Sequence, residues 1–137
     1  MDPSKTILVI DDEPDILNGC QAILEREGYR VITAPDGQSG LTRATRENYD
    51  LVIVDLMMPR ISGFIILERV KETMPGRPVI MLTGSGAPEQ RAYAEFLGVD
   101  AYLIKPVAPQ VLLQTVERHC TRHPRAIPSA DAVPSAG

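Results

Sequence analysis

The stretch Thr6-Ile7-Leu8-Val9-Ile10-Asp11-Asp12-Glu13-Pro14 decides the fold. Thr6 to Ile10 is a continuous, largely β-branched run, short enough for a strand buried on both faces. Three carboxylates follow at once. From Pro14 the period changes: apolar side chains recur at Ile16, Leu17, Cys20, Ile23 and Leu24, the stripe of an amphipathic helix. Pro14 suits the first helical turn and Gly28 the stop.

The same alternation runs outward along the chain. Further strands are expected at 30–34, 51–54, 78–82 and 101–104, the first of them more polar than the rest. Asp36 can cap a helix running to about Arg46. Ser62 can cap another, carrying Phe64, Ile65, Leu67 and Val70 and ended by Met74-Pro75-Gly76. A fourth helix is expected from Pro88 to Leu97 and a fifth from Pro109 to His119. Five strands alternating with five helices predict an α/β fold: a parallel sheet covered on both faces, with right-handed crossovers and the doubly wound order 2-1-3-4-5.

Composition agrees with one globular unit. The chain has 137 residues, against roughly 150 per domain. Its 14 Lys and Arg against 18 Asp and Glu leave a formal charge of −4, which argues against non-specific nucleic-acid binding and against an anionic membrane surface. Two cysteines, Cys20 and Cys120, make no disulfide framework and fit a reducing compartment, so the chain is expected in the cytoplasm. No apolar run approaches a membrane span. Residues 119–137 hold three prolines and four alanines; 120–137 are read as a flexible Pro/Ala-rich tail or the start of a linker, with Cys120 inert within it. His119 and His123 lie in this setting, which preorganises no metal or phosphotransfer site.

In an open parallel sheet, ligands bind outside the carboxyl ends of the strands. Asp11 and Asp12 follow strand one, Asp55 strand three, Thr83 strand four and Lys105 strand five. Three carboxylates about 5 Å apart would repel by on the order of 10 kcal/mol in all at an effective dielectric of 20. A cation or protons must offset that. Oxygen-only ligands with open positions suit Mg²⁺. Asp55 stands alone at the end of a central strand, between Val54 and Leu56, as the carboxylate free to attack phosphorus. Asp11 and Asp12, being adjacent, look like metal holders.

Four pieces then carry a resemblance: Ile7–Pro14, Tyr49–Pro59 with Gly63, Val79–Gly84 and Gly98–Pro106. In this order and spacing the chain resembles the receiver domain of two-component response regulators, over residues 5–119. The resemblance implies a flavodoxin-like receiver domain over residues 1–119. It implies that Asp55 accepts a phosphoryl group from a histidine kinase or histidine phosphotransfer protein. Asp12 and Asp55 would ligate Mg²⁺ directly, Asp11 mainly through water, and the Met57 carbonyl would complete the set. Thr83 would hydrogen-bond one phosphoryl oxygen and Lys105 pair with another. Tyr102 matches the switch aromatic that turns inward when Thr83 is drawn to the phosphate, altering a helix 4–strand 5–helix 5 surface read by a downstream protein. The Lys105–Pro106 bond would be cis. Ala101 replaces an acidic residue of some dimerising relatives, so a monomer or weak dimer is expected. Met57 and Ser85 occupy the positions that set phosphoryl lifetime; neither orients a water well, so self-dephosphorylation should be slow.

Rival readings fare worse. A phosphatase of the haloacid-dehalogenase kind wants an aspartate two residues after the nucleophile, where Met57 stands. A flavin or nucleotide module wants a Gly- or Ser/Thr-rich loop after strand one, where Asp11-Asp12-Glu13 repels phosphate. A receiver-shaped interaction domain that takes no phosphate is excluded only by assay. The sequence holds no output domain, so a stand-alone regulator is expected ahead of a fragment cut in a linker.

Overall fold

A computed structural model describes residues 5–122, the side chains of 121 and 122 excepted. The element order is β1 (Thr6–Ile10), α1 (Pro14–Arg26), β2 (Arg30–Ala34), α2 (Gly37–Arg46), β3 (Leu51–Val54), α3 (Gly63–Thr73), β4 (Val79–Thr83), α4 (Pro88–Phe96), β5 (Ala101–Ile104) and α5 (Pro109–Arg122). All strand pairs are parallel, in the order β2-β1-β3-β4-β5. Both the α/β class and the order match the sequence reading.

Burial follows position in the sheet. Every residue of the central strands β3 and β4 is buried, and four of the five in β1. The edge strands β2 and β5 are largely half-exposed, which explains the more polar composition of β2. Alternate strand side chains feed two cores. Leu8, Ile10, Val52, Val54 and Met81 pack with α2 to α4, while Ile7, Val9, Leu51, Ile53 and Ile80 pack with α1 and α5. Each such side chain contributes roughly 1.5–3 kcal/mol by leaving water.

Helix ends behave largely as expected. Asp36 accepts a hydrogen bond from the Ser39 amide at 2.8 Å and caps α2. Ser62 occupies the N-cap position of α3 but its side chain makes no capping bond. Gly28 and Gly98 turn the chain after α1 and α4 at φ of +96° and +99°.

β4 lies one residue later than expected and α4 ends one residue earlier, at Phe96; two differences bear on the site and the core. Thr83 is the last residue of β4, paired with Ile104, rather than the first loop residue beyond it. Helix α5 runs on to Arg122, three residues past His119. His119 and Cys120 are both buried, and Cys120 packs in the α1–α5 core, so it is a core residue and not part of a tail. Leu112, Val116 and Cys120 continue the apolar stripe at four-residue steps. The remainder of the expected tail, with His123, lies outside the described residues.

Candidate functional site

The sheet holds the polar residues by their backbones. Hydrogen bonds continue one residue past the strands: Asp11 N–H to Ala34 O at 3.2 Å, Asp55 N–H to Ile10 O at 3.0 Å and Lys105 N–H to Thr83 O at 2.8 Å. Three site residues are thereby fixed to the carboxyl rim of the sheet. Gly63 lets α3 start against this rim, since a Cβ there would stand 2.3 Å from the Asp55 carbonyl oxygen and 2.9 Å from Leu56 Cα.

Asp11, Asp12 and Asp55 offer carboxylate oxygens that all lie within 4.8 Å of one another. At that spacing the three carboxylates repel one another. Asp11 and Asp55 are buried, whereas Asp12 is exposed. The Asp11 carboxylate also accepts the Glu13 amide at 2.9 Å. Lys105 answers part of the negative charge. Its ammonium lies 2.9 Å from Asp11 and 3.0 Å from Glu13, but 3.7 Å from Asp55. Asp12 has no ion-pair partner among the described residues. An open depression lined by Asp12, Glu13, Asp55, Met57, Gly84, Ser85 and Lys105 gives access from solvent.

The protonation balance follows from this crowding. Burial and then the Asp11 charge push the Asp55 carboxyl up to about 6, against the pull of Lys105. Burial also raises the Asp11 carboxyl. Burial by itself would lower the Lys105 ammonium, but hydrogen bonds to Asp11 and Glu13 outweigh it and the net shift is upward. An all-oxygen donor set of this charge fits a hard divalent cation with open positions.

Thr83 is fully buried, and its hydroxyl accepts the Ser85 amide at 3.2 Å. Tyr102 is turned inward and donates its hydroxyl to the Ser85 carbonyl at 3.0 Å. The Ser85 side chain in turn contacts the Gln90 side chain of α4. Ser85 therefore ties the end of β4 to β5 and to α4. The Lys105–Pro106 bond is cis. Met57 projects its side chain to solvent, 61% exposed, and its amide approaches Asp55 at 3.4 Å.

The sequence reading had singled out Asp11, Asp12, Asp55, Met57, Thr83, Tyr102 and Lys105. The carboxylates, Lys105 and Met57 meet at one rim. Thr83 joins them through its carbonyl, which accepts the Lys105 amide, and Tyr102 is linked to Thr83 through the Ser85 backbone. Two contributors went unread: Glu13 as a partner of Lys105, and the Ser85 carbonyl as the acceptor for Tyr102. Glu13 carried a signal, a third acid in the loop after β1. A backbone carbonyl carries none.

The family model for the response regulator receiver domain matches residues 7–117. Among curated proteins, the chain is 35% identical over 128 residues to the alkaline phosphatase synthesis transcriptional regulatory protein PhoP of Bacillus subtilis, covering 93% of this chain and 53% of that protein. The chain thus spans about half the length of the curated relatives it matches. A CheY-like response regulator receiver domain protein from Methanospirillum hungatei superposes with a TM-score of 0.85 at 34% identity, over 88% of this chain and 96% of that one. The response regulator TrrA of Thermotoga maritima, solved in complex with Mg(2+)-BeF, gives a TM-score of 0.77 at 32% identity, over 84% and 98%. No helix among the described residues is long and apolar enough to cross a membrane. With the motifs, the sheet order and these matches in agreement, the chain belongs to the receiver domains of two-component response regulators.

Proposed function

We propose that the chain is a phospho-accepting switch, with Asp55 taking a phosphoryl group from a phosphohistidine of a histidine kinase or phosphotransfer protein. The observation that carries this reading is the convergence of the Asp11, Asp12 and Asp55 oxygens within 4.8 Å, with Lys105 on the same rim. The relative TrrA, solved with Mg(2+)-BeF, supports it.

Asp11, Asp12, Asp55 and the Met57 carbonyl would hold Mg²⁺. Bound there, the ion would neutralise charge on the carboxylates and on the transferring phosphoryl oxygens. An Asp55 oxygen forms the new bond to phosphorus as the phosphorus–nitrogen bond breaks, and the electron pair stays on the imidazole. With its carboxyl near 6, Asp55 is mostly ionised at neutral pH and so competent as the nucleophile. Lys105 turns from Asp11 and Glu13 toward a phosphoryl oxygen, and Thr83 donates its hydroxyl to another. Drawing Thr83 inward disturbs the Ser85 amide bonded to it, and through Ser85 both Tyr102 and α4. The surface of α4, β5 and α5 thereby changes for a downstream protein.

The chain in this reading is a cytoplasmic signalling module and not an enzyme, although it assists its own phosphorylation and slow dephosphorylation. Met57 and Ser85 supply no acid or amide to orient a hydrolytic water, and the Ser85 side chain is already engaged with Gln90. We place the receiver unit and its Asp55 chemistry within residues 1–119, with Cys120 packing the end of α5. Amide spectra with Mg²⁺ and beryllofluoride, a mimic of the aspartyl phosphate, test the switch. The reading expects saturable shifts at Thr83, Ser85 and Tyr102 that Asp55→Ala abolishes. Unchanged spectra at saturating analogue would overturn it.

A further inference from the structure

Helices α3 and α4 present an aromatic cluster. Phe64 meets Tyr93 edge to face with ring centroids 4.9 Å apart, and Tyr93 stacks on Phe96 at 6.2 Å. Phe96 is 81% exposed and Tyr93 46%, and Ile65 beside Phe64 is 41% exposed. Leaving a phenylalanine ring in water forgoes a large burial gain, and an aromatic group on one face marks a contact site more often than a scattered apolar residue does.

The charges around the rings say what would cover them. Arg69 pairs with Glu72 at 4.0 Å and Arg91 with Glu95 at 3.2 Å, so both exposed arginines of these helices are matched. Glu68 and Glu89 make no ion pair among the described residues. Glu68 follows Phe64 by four residues and Glu89 precedes Tyr93 by four, so each stands on the helix face of an aromatic ring. The face is therefore aromatic at its centre and net acidic at its rim. A second copy of the chain fits poorly, because a two-fold contact sets the patch against itself and brings like charges together.

We propose that the Phe64–Tyr93–Phe96 face of α3 and α4 docks an amphipathic partner helix with an aliphatic seam flanked by Lys or Arg. The seam covers Phe96 and Tyr93, and the basic flanks meet Glu68 and Glu89. This is a second contact surface, separate from the α4–β5–α5 face, and its occupancy needs no phosphoryl group.

A synthetic amphipathic helix with a leucine seam and lysine flanks is the probe, titrated into the ¹⁵N-labelled full chain. Saturable shifts should cluster at residues 64–68 and 89–96. Phe96→Ser, a change at an exposed position, should weaken binding at least tenfold, whereas Val111→Ser on α5 should leave it unchanged. Glu68→Lys combined with Glu89→Lys should abolish binding of the lysine peptide and permit binding of a glutamate-flanked one. Shifts scattered over the surface, equal affinity for both peptides, or a dimer of the chain that Phe96→Ser dissolves would each overturn the proposal. Asp55→Ala should bind the peptide as the wild type does, so a failure of the phospho-acceptor reading leaves this test intact.

Discussion

The Lys105 ammonium lies 2.9 Å from an Asp11 oxygen and 3.7 Å from an Asp55 oxygen. The one lysine of the site is thus committed first to the buried Asp11 and only second to the carboxylate that is to react. Its pairing with Asp11 offsets part of the negative charge of the acid cluster. Its approach to Asp55 is the looser of the two.

Removing the lysine should expose this balance. Lys105→Ala leaves Asp11, only 2% exposed, without its ion-pair partner. The expected loss is about 1–3 kcal/mol in urea melts with EDTA, less than the roughly 3–5 of a fully buried pair because Asp11 can take up a proton. Millimolar Mg²⁺ should restore more stability to this variant than it adds to wild type. An unchanged melt in EDTA would mean that the Lys105–Asp11 pair stabilises nothing.

Asp55 carries the opposite sign. Its folded carboxyl is raised to about 6, above the ordinary carboxylate value, so the native state holds the proton more tightly than the unfolded chain. The stabilising preference for the protonated form is present at low pH and is lost as pH rises through about 4 to 6. Asp55→Asn mimics the neutral form. With EDTA present it should be more stable than wild type at pH 7.5 by about 1–3 kcal/mol, with a much smaller difference at pH 4.5. Denaturant melts at the two pH values check this; a variant less stable at pH 7.5 would refute the raised pKa.

Two glycines should respond in opposite directions. Gly63→Ala drives a Cβ into the Asp55 carbonyl and the Leu56 backbone, neither of which can swing aside. A loss of about 1–3 kcal/mol is expected, with impaired Mg²⁺ affinity because Asp55 is displaced. Gly19, inside α1, has nothing within 4 Å of its missing Cβ. Gly19→Ala should stabilise by about 0.5–1 kcal/mol. Thermal melts of the pair, read side by side, distinguish packing from propensity.

The two thiols report on whether α5 is docked along its full length. Burial pushes both Cys20 and Cys120 up to about 11, so at pH 8 the thiolate fraction is about one in a thousand. Both should resist a small aromatic disulfide reagent in the native protein and react at once in guanidinium. Fast reaction of Cys120 alone would show the last turn of α5 opening away from the core.

Strand ends made the site legible. Asp11, Asp55 and Lys105 stand one residue beyond apolar runs, and parallel topology leaves such residues only one rim on which to meet. Closure of the chain decides the rest. The reach of Glu13 across to Lys105, at 3.0 Å, joins the loop after β1 to the end of β5, with β3 and β4 between them in the sheet. The Tyr102 partner is a carbonyl, and every residue has one. The end of α5 differs from expectation because the Leu112–Val116–Cys120 stripe carries the helix beyond His119, whatever the prolines from Pro124 onward suggest. Pro124 stops a helix only near its own position, and the apolar stripe holds to Cys120. The aromatic face is hidden for a similar reason: Tyr93 and Phe96 have helical spacing and Phe64 comes from another helix, and spacing alone does not tell a covered ring from a bare one.

The central claim is that Asp55 takes the phosphoryl group with help from a divalent cation. Intact mass after incubation with a small acyl phosphate tests it most directly, with Mg²⁺ and then with EDTA, beside Asp55→Ala. The account predicts one added phosphoryl group in wild type with Mg²⁺, and none with EDTA or in the variant. No adduct in wild type with Mg²⁺ would contradict it, and would leave a receiver-shaped interaction domain whose acid cluster is a metal site at most.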